Sequence, residues 1–300
     1  MKERKLPPLR LILTNACNGN CDFCHREGSS ANSEMPIETI EECAYTANRL
    51  SIPNISITGG EPTLRDDLPQ VIELIGRIAV NTKIHLTTNG YALDRLSSLA
   101  DAHIDCLNLS LCSLDQEIAT YYQNVDPYQA LNSLKLLPAN RKNINMVITE
   151  KNYGELMSVL NCCIQNHFSL DIMFELKSYN NIDLEIQHYI LKELERLGGA
   201  YIALKPTPTI VIKVDDDCVI SVKHPYLSAL PQIGICNKCL SKDLCFERIC
   251  AVRVHPDGLV SPCLNKTIFS TEDTVSKRIE DIYHQIECDY SLLLFLAKHT

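Results

Sequence analysis

Nowhere among the 300 residues does an apolar run approach the roughly 18 that a membrane span requires. There is also no basic block: 28 Lys and Arg stand against 37 Asp and Glu, a formal net charge of −9. Affinity for a nucleic-acid backbone comes mainly from phosphate neutralisation, so this charge balance argues against such a partner. The start, Met1-Lys2-Glu3-Arg4-Lys5, is charged, but Pro7, Pro8 and Arg10 break the stretch behind it too early for a signal-peptide core. A reducing cytoplasm is the expected compartment. Hydrophobic residues at 45% and charged residues at 22% are ordinary globular values and leave no case for disorder.

What the chain does have is cysteine, 15 of them. The number is odd, and a reducing compartment would not keep disulfides, so clustered cysteines point to metal or iron–sulfur ligation. One cluster is Cys17, Cys21 and Cys24. A second is Cys236, Cys239, Cys245, Cys250 and Cys263. Cys43, Cys106, Cys112, Cys162, Cys163, Cys218 and Cys288 are scattered and read as small core side chains.

Short apolar runs alternate with amphipathic stretches up to about residue 200. Strands are expected at Leu9–Thr14, Ile55–Thr58, Lys83–Thr88, Cys106–Leu111, Asn145–Ile148 and Leu170–Leu176. Helices are expected at Pro36–Leu50, Leu68–Ile78, Leu93–Ala100, Leu114–Tyr122, Tyr128–Leu137, Tyr153–His167 and Leu184–Leu197. Strict alternation argues for parallel strands with right-handed crossovers. Six units fall short of a closed eight-fold barrel, so the fold class is α/β, a partial (β/α)6 TIM barrel. Beyond Gly198-Gly199 the pattern changes. Two β-rich runs lie between Tyr201 and Val222, a hairpin between Val252 and Val260, and a helix from Val275 to Lys298. The Asp215-Asp216-Asp217 run reads as a solvated turn. Residues 1–205 are expected to form the core domain and 206–300 a small α+β auxiliary domain.

The first cluster, Cys17-Asn18-Gly19-Asn20-Cys21-Asp22-Phe23-Cys24, follows the first strand with the spacing C-x3-C-x2-C. Three thiolates this close can hold three irons of a 4Fe–4S cluster and leave the fourth open to a small molecule. A zinc knuckle completed by His25 is the alternative, although Cys24 and His25, being adjacent, point apart in an extended segment.

Three further segments stand at the C-terminal edges of successive strands: Gly59-Gly60-Glu61-Pro62, Thr87-Thr88-Asn89-Gly90 and Leu107-Asn108-Leu109-Ser110-Leu111. With the cysteines, this series resembles the radical S-adenosylmethionine (SAM) superfamily over residues 9 to about 180. The resemblance implies a 4Fe–4S cluster on Cys17, Cys21 and Cys24 with SAM at its open iron. Cofactor contacts are then expected from Phe23, Gly59, Gly60, Glu61, Pro62, Thr88, Asn89 and Ser110. It also implies reductive cleavage of SAM to a 5′-deoxyadenosyl radical, hydrogen abstraction from a substrate, and an electron donor such as flavodoxin or ferredoxin.

Within the superfamily, Leu9-Arg10-Leu11 and Ile57-Thr58-Gly59-Gly60-Glu61-Pro62-Thr63-Leu64-Arg65-Asp66-Asp67-Leu68 look most like the GTP cyclase of molybdenum-cofactor biosynthesis and its relatives. Arg10 matches an arginine that holds the GTP phosphates there, and Arg253 one of its C-terminal motif; a surface or structural ion-pair role is the alternative for each. Three features depart from that enzyme: five C-terminal cysteines where it uses three, the ending Ala297-Lys298-His299-Thr300 in place of a Gly-Gly tail, and Cys112 where the relatives carry Asp. The C-terminal cysteines resemble pieces of twitch and SPASM auxiliary-cluster domains. Four ligands close a cluster: Cys236, Cys239, Cys245 and Cys263 are expected, with Cys250 as the alternate and zinc as the alternative metal. The expected function is therefore radical chemistry on a nucleotide-like metabolite or a peptide. Its alternatives are the GTP cyclase reaction and a zinc-bearing scaffold without catalysis.

Overall fold

The computed structural model describes residues 6–25, 33–92, 104–175, 184–196, 209–214, 218–223, 236, 251–263 and 273–299. The described strands are β1 (Leu9–Ile12), β2 (Asn54–Thr58), β3 (Lys83–Thr88), β4 (Cys106–Ser110), β5 (Arg141–Ile148), β6 (Ser169–Phe174), β7 (Thr209–Lys213), β8 (Val219–Lys223), β9 (Val252–Val254) and β10 (Val260–Ser261). They form one 10-stranded sheet in the order β10-β9-β1-β2-β3-β4-β5-β6-β8-β7. Neighbours from β9 through β1 to β6 and on to β8 are parallel. Only the outermost strands, β10 and β7, run antiparallel to their partners. The result is an open, partial barrel. The strands beyond residue 205 extend both edges of the sheet that β1–β6 begin.

Helices α1 (Ile37–Arg49), α2 (Leu68–Ile78), α3 (Gln116–Gln123), α4 (Pro127–Leu136), α5 (Leu156–Gln165), α6 (Leu184–Glu195) and α7 (Val275–His299) complete the described elements. Asp115 and Asp126 start α3 and α4 by accepting two backbone N–H bonds each. Asn124 ends α3 in the left-handed region at φ 51°. The helix expected at Leu93–Ala100 and the Asp215–Asp217 turn lie outside the described residues.

Because side chains alternate along a strand, each strand here has an apolar and a polar face. Leu9 and Leu11 on β1, Ile55 and Ile57 on β2, Leu107 and Leu109 on β4, and Ile144 and Met146 on β5 all join one core with the helices. Each such side chain contributes about 1.5–3 kcal/mol when fully buried. On the other face stand Arg10, Ser56, His85, Asn108, Asn143, Asp171, Ser221 and Arg253. Barrel interiors of this type are ordinarily filled by branched aliphatic residues. This one is polar, and Asn108 and Asp171 are only half-buried, so solvent or a ligand can reach it. Of the scattered cysteines, Cys43, Cys106, Cys112, Cys163 and Cys218 are buried and Cys162 is half-buried, as small core side chains should be.

Candidate active site

The cysteine loop leaves the C-terminal end of β1 and is gripped from two sides. On one side is the end of β2. Gly60 N–H donates to Thr14 O at 2.7 Å, and Glu61 N–H donates to Ala16 O at 2.8 Å. The two backbones lie so close that a Cβ at Gly60 would stand 2.1 Å from the Ala16 oxygen, and one at Gly59 would stand 2.7 Å from the Thr14 oxygen. Both glycines are therefore required by the loop's own chain, whatever else they touch.

On the other side is the C-terminal end of α3, whose last carbonyls have no helical partner. Asn20 N–H donates to Tyr122 O at 2.9 Å, and the Cys21 thiol donates to the same oxygen at 3.1 Å. Asn18 Nδ2 donates to Gln123 O at 3.0 Å, while its Oδ1 accepts from Asn89 Nδ2 at 2.9 Å. Asn18 thus ties the loop to both β3 and α3. Phe23 packs on Tyr122 with ring centroids 5.1 Å apart, and Tyr121 packs edge-on against Tyr122 at 5.0 Å.

Beneath the loop, Glu61 is buried and accepts four hydrogen bonds. Oε1 takes Thr63 N–H (3.0 Å), Thr63 Oγ1–H (2.6 Å) and Thr88 Oγ1–H (2.6 Å), and Oε2 takes Asn89 N–H (2.6 Å). Burial pushes its carboxyl above the ordinary range and these donors pull it back. Its side chain is spent on joining β2 to β3, and Pro62 begins a buried 3-10 turn, Pro62–Leu64. Arg65, also buried, donates to Leu13 O (3.1 Å), to Met35 O (2.8 Å) and twice to the Asp67 carboxylate (2.8 Å each). That guanidinium fork holds the Asp67 carboxyl below its usual range.

Ser110 is half-buried on the interior face, and its carbonyl accepts Gln123 Nε2–H at 2.6 Å. Gln123 Oε1 in turn accepts from Cys112 N (3.2 Å) and Cys112 Sγ (3.1 Å). Arg10 and Arg253 are register partners on β1 and β9, so their guanidinium-bearing side chains share the interior face. Arg10 Nη2 lies 3.5 Å from Thr58 Oγ1, and buried Arg253 donates to Ala251 O at 2.9 Å. Cys236 and Cys263 are half-buried. Cys239, Cys245 and Cys250 lie outside the described residues, as does any convergence of the second cluster.

The loop suits a cluster better than a single ion. Among the described residues no three His, Cys, Asp or Glu side chains converge on one metal ion. A structural zinc needs its ligands within about 2.3 Å of one point, whereas each cysteine of a 4Fe–4S cluster binds its own iron. The thiols are nonetheless close. Desolvation first, and then Cys112, Cys24 and Cys17, push the Cys21 thiol up to about 12. Cys17 is raised too, by desolvation first and by Glu61 and Cys24 after it.

The sequence profile described as the radical SAM superfamily matches residues 11–163. The chain belongs to that superfamily. Radical SAM proteins carry a 4Fe–4S cluster and SAM, and this chain is an enzyme of that kind. It is 28% identical over 289 residues to a protein of Methanothermobacter marburgensis named "Probable GTP 3′,8-cyclase", covering 91% of this chain and 90% of that one. A protein of the same name from Sulfolobus acidocaldarius is 34% identical over 164 residues, 53% of this chain and 52% of that one. Among solved structures, Streptococcus suis SuiB bound to the precursor peptide SuiA superposes with a TM-score of 0.63 at 17% identity, over 91% of this chain and 64% of SuiB. The chain spans less than two thirds of SuiB, and the likeness is one of fold. It agrees with the partial barrel expected from the strand–helix alternation. No helix among the described residues is long and apolar enough to cross a membrane.

The residues that hold this site together were not all visible in advance. Asn18 and Phe23 sit inside the cysteine motif, but Tyr122, Gln123 and Arg65 carry no signal except through the fold. The cysteine loop meets α3 across a sequence separation of 101 residues.

Proposed function

We infer that this radical SAM enzyme acts on a purine nucleoside triphosphate, in a reaction of the GTP 3′,8-cyclase type. The observation that carries the reading is the register pairing of Arg10 with Arg253 on the interior face. Two neighbouring guanidinium forks match phosphate oxygens in geometry as well as charge. The name shared by relatives that align over nine-tenths of their length supports the same substrate. A peptide substrate, the other half of the sequence expectation, draws no comparable support, since the likeness to SuiB carries fold alone.

Cys17, Cys21 and Cys24 would hold the cluster, and the cluster with SAM supplies, when bound, a 5′-deoxyadenosyl radical that can take a hydrogen atom. The protein's part is placement. The β2 end and α3 fix the cysteine loop, Ser110, Thr88 and Asn89 line the rim beside it, and Arg10 and Arg253 hold the polyanionic end of the substrate. The C-terminal cysteines Cys236, Cys239, Cys245 and Cys263 form a fully ligated auxiliary iron–sulfur site in this reading, with Cys250 as alternate, zinc as the other metal, and a flavodoxin or ferredoxin as electron source.

The test is anaerobic turnover of the reconstituted enzyme with SAM, dithionite and GTP. Consumption of GTP matched by 5′-deoxyadenosine is expected. Formation of 5′-deoxyadenosine with GTP neither bound nor consumed would overturn the substrate.

A further inference from the structure

The last turn of α3 grips the cysteine loop by backbone carbonyls, and a carbonyl holds a loop only as firmly as its own turn is held. Tyr122, which is buried, makes three contacts there. Its carbonyl oxygen accepts Asn20 N–H at 2.9 Å and the Cys21 thiol at 3.1 Å. Its ring packs on Phe23 with centroids 5.1 Å apart. Its hydroxyl lies 3.0 Å from Thr149 Oγ1, just past the end of β5. Two of these contacts touch the loop, and the third leads away from it to the barrel rim.

That third contact ends at a fixed point. Asn152 is wholly buried, and its Nδ2 donates to Cys112 O at 2.9 Å and to Val147 O at 2.8 Å. Two carbonyls on the nitrogen side set the orientation of the amide. Asn152 Oδ1 then accepts Thr149 N–H at 2.7 Å and Thr149 Oγ1–H at 3.1 Å. With its one hydroxyl proton so committed, Thr149 Oγ1 is left as an acceptor, for Lys151 N–H at 3.2 Å and for the Tyr122 hydroxyl. The direction of every bond in the chain Tyr122–Thr149–Asn152 is thereby decided, and a buried network satisfied in this way has one arrangement.

Two other contacts bear on the same corner. Lys151 Nζ lies 3.5 Å from Asp22 Oδ2, but both side chains are about half exposed, and such pairs hold little. The Gln123 side chain ties the turn to β4 through Ser110 and Cys112, but its carbonyl meets Asn18 and not a cysteine. The Tyr122 side chain alone joins the rim to the residue whose carbonyl and ring meet Cys21 and Phe23.

We propose that Tyr122 is a positioning residue for the cofactor: its hydroxyl, hung on Thr149, decides where Cys21 and Phe23 stand against the ends of β4 and β5. The proposal rests on the reading of Cys17, Cys21 and Cys24 as the cluster ligands and needs no particular substrate. Without the hydroxyl the turn gains freedom, and the ligand and the aromatic beside it shift together.

Tyr122→Phe removes the hydroxyl and keeps the ring, and Thr149→Val removes its partner at nearly the same volume. Tyr283→Phe is the comparison. It also loses a buried hydroxyl bond, to Pro7 O at 2.8 Å, but before the start of β1, whereas the cysteine loop follows its end. Each protein, reconstituted anaerobically, is measured for iron content, melting temperature, SAM affinity by equilibrium dialysis, and the electron paramagnetic resonance spectrum of the reduced cluster with and without SAM. All three variants are expected to keep the wild-type iron content and to melt a few degrees lower. Tyr122→Phe and Thr149→Val should bind SAM about three- to tenfold more weakly, a single hydrogen bond's worth, and should change the spectrum of the SAM-bound cluster. Their double variant should bind no more weakly than the weaker single one. Tyr283→Phe should match the wild type in affinity and spectrum. Should Tyr122→Phe fail to fold, Thr149→Val decides. Wild-type affinity and spectrum in Tyr122→Phe and Thr149→Val, additive losses in the double variant, or an equal loss of affinity in Tyr283→Phe overturns this assignment and leaves the cluster reading standing. A wild-type cluster whose spectrum does not respond to SAM overturns both.

Discussion

Glu61, just past the end of β2, and Asp171, on β6, are carboxylates in opposite circumstances. Glu61 is sealed beneath the cysteine loop with four N–H and O–H donors on it. Asp171 is half-buried and takes two donors, one of them the amide of Asn143, whose oxygen meets no donor among the described residues. The same contrast separates the two parts of the barrel rim. Around the cysteine loop, Arg10 aside, the polar groups from β1 to β3 are spent on holding a piece of the chain itself: Arg65 on Leu13, Met35 and Asp67, Asn18 on Asn89, and two glycines against the Thr14–Ala16 backbone. From β4 to β8 the polar groups are organised among themselves but not exhausted. Polar groups that fix a loop of the chain are matched to one another, whereas the β4–β8 face keeps carboxylate lone pairs in reserve.

The comparison breaks most readily at Gly60. Gly60→Ala drives a methyl group to 2.1 Å from the Ala16 oxygen, backbone against backbone. A loss of more than about 4 kcal/mol is expected, read as a collapsed melting temperature and lost iron. Gly154→Ala, with nothing within 4 Å, should stay within about 0.5 kcal/mol of the wild type. Next comes Glu61→Gln, which places an amide N–H2 among donors and should cost about 2–3 kcal/mol in denaturant unfolding. A neutral result would mean that the sealed half is not held by its hydrogen bonds. Arg10→Lys keeps the charge but loses the fork, and GTP affinity should fall several-fold; unchanged dialysis would remove Arg10 from the phosphate site.

The smallest effect concerns His85, whose Nδ1 faces Asn54 Nδ2 at 3.1 Å. Burial holds its imidazole below the usual 6.5. The unfolded chain therefore takes up that proton first as pH drops, so the stability His85 contributes is present above 6.5 and is lost as pH falls from there through the lower value of the folded chain. Thermal melts between pH 7.5 and 5.5 should show this slope in the wild type and a flatter one in His85→Gln. Identical slopes would assign it to another group.

Much of this was legible in the residues. Leu9-Arg10-Leu11 declares a strand with one apolar face, and Cys17, Cys21 and Cys24 declare a ligand loop. β5 is the instructive miss: the apolar pattern suggests a start at Asn145, but the strand begins at Arg141. Residues Arg141 to Asn143 lack apolar alternation because Arg141 is exposed and Lys142, on the helix-facing side, carries its ammonium out to Lys135 O, while Asn143 faces the polar interior. Asn143 and Asp171 were invisible too. An Asn and an Asp on a strand signal nothing until the register sets them 3.0 Å apart. Tyr122 and Gln123 were hidden differently, since their importance lies in carbonyl oxygens that every residue has.

The central claim is that the loop of Cys17, Cys21 and Cys24 holds the cluster at which SAM is cleaved. It is tested most directly by measuring 5′-deoxyadenosine released from SAM by anaerobically reconstituted, dithionite-reduced protein, beside Cys21→Ala and the remote, buried Cys43→Ala. Release is expected from the wild type and from Cys43→Ala, and none from Cys21→Ala, which should also lack about four irons. Release from Cys21→Ala equal to that of the wild type, or no release from the wild type, would contradict it.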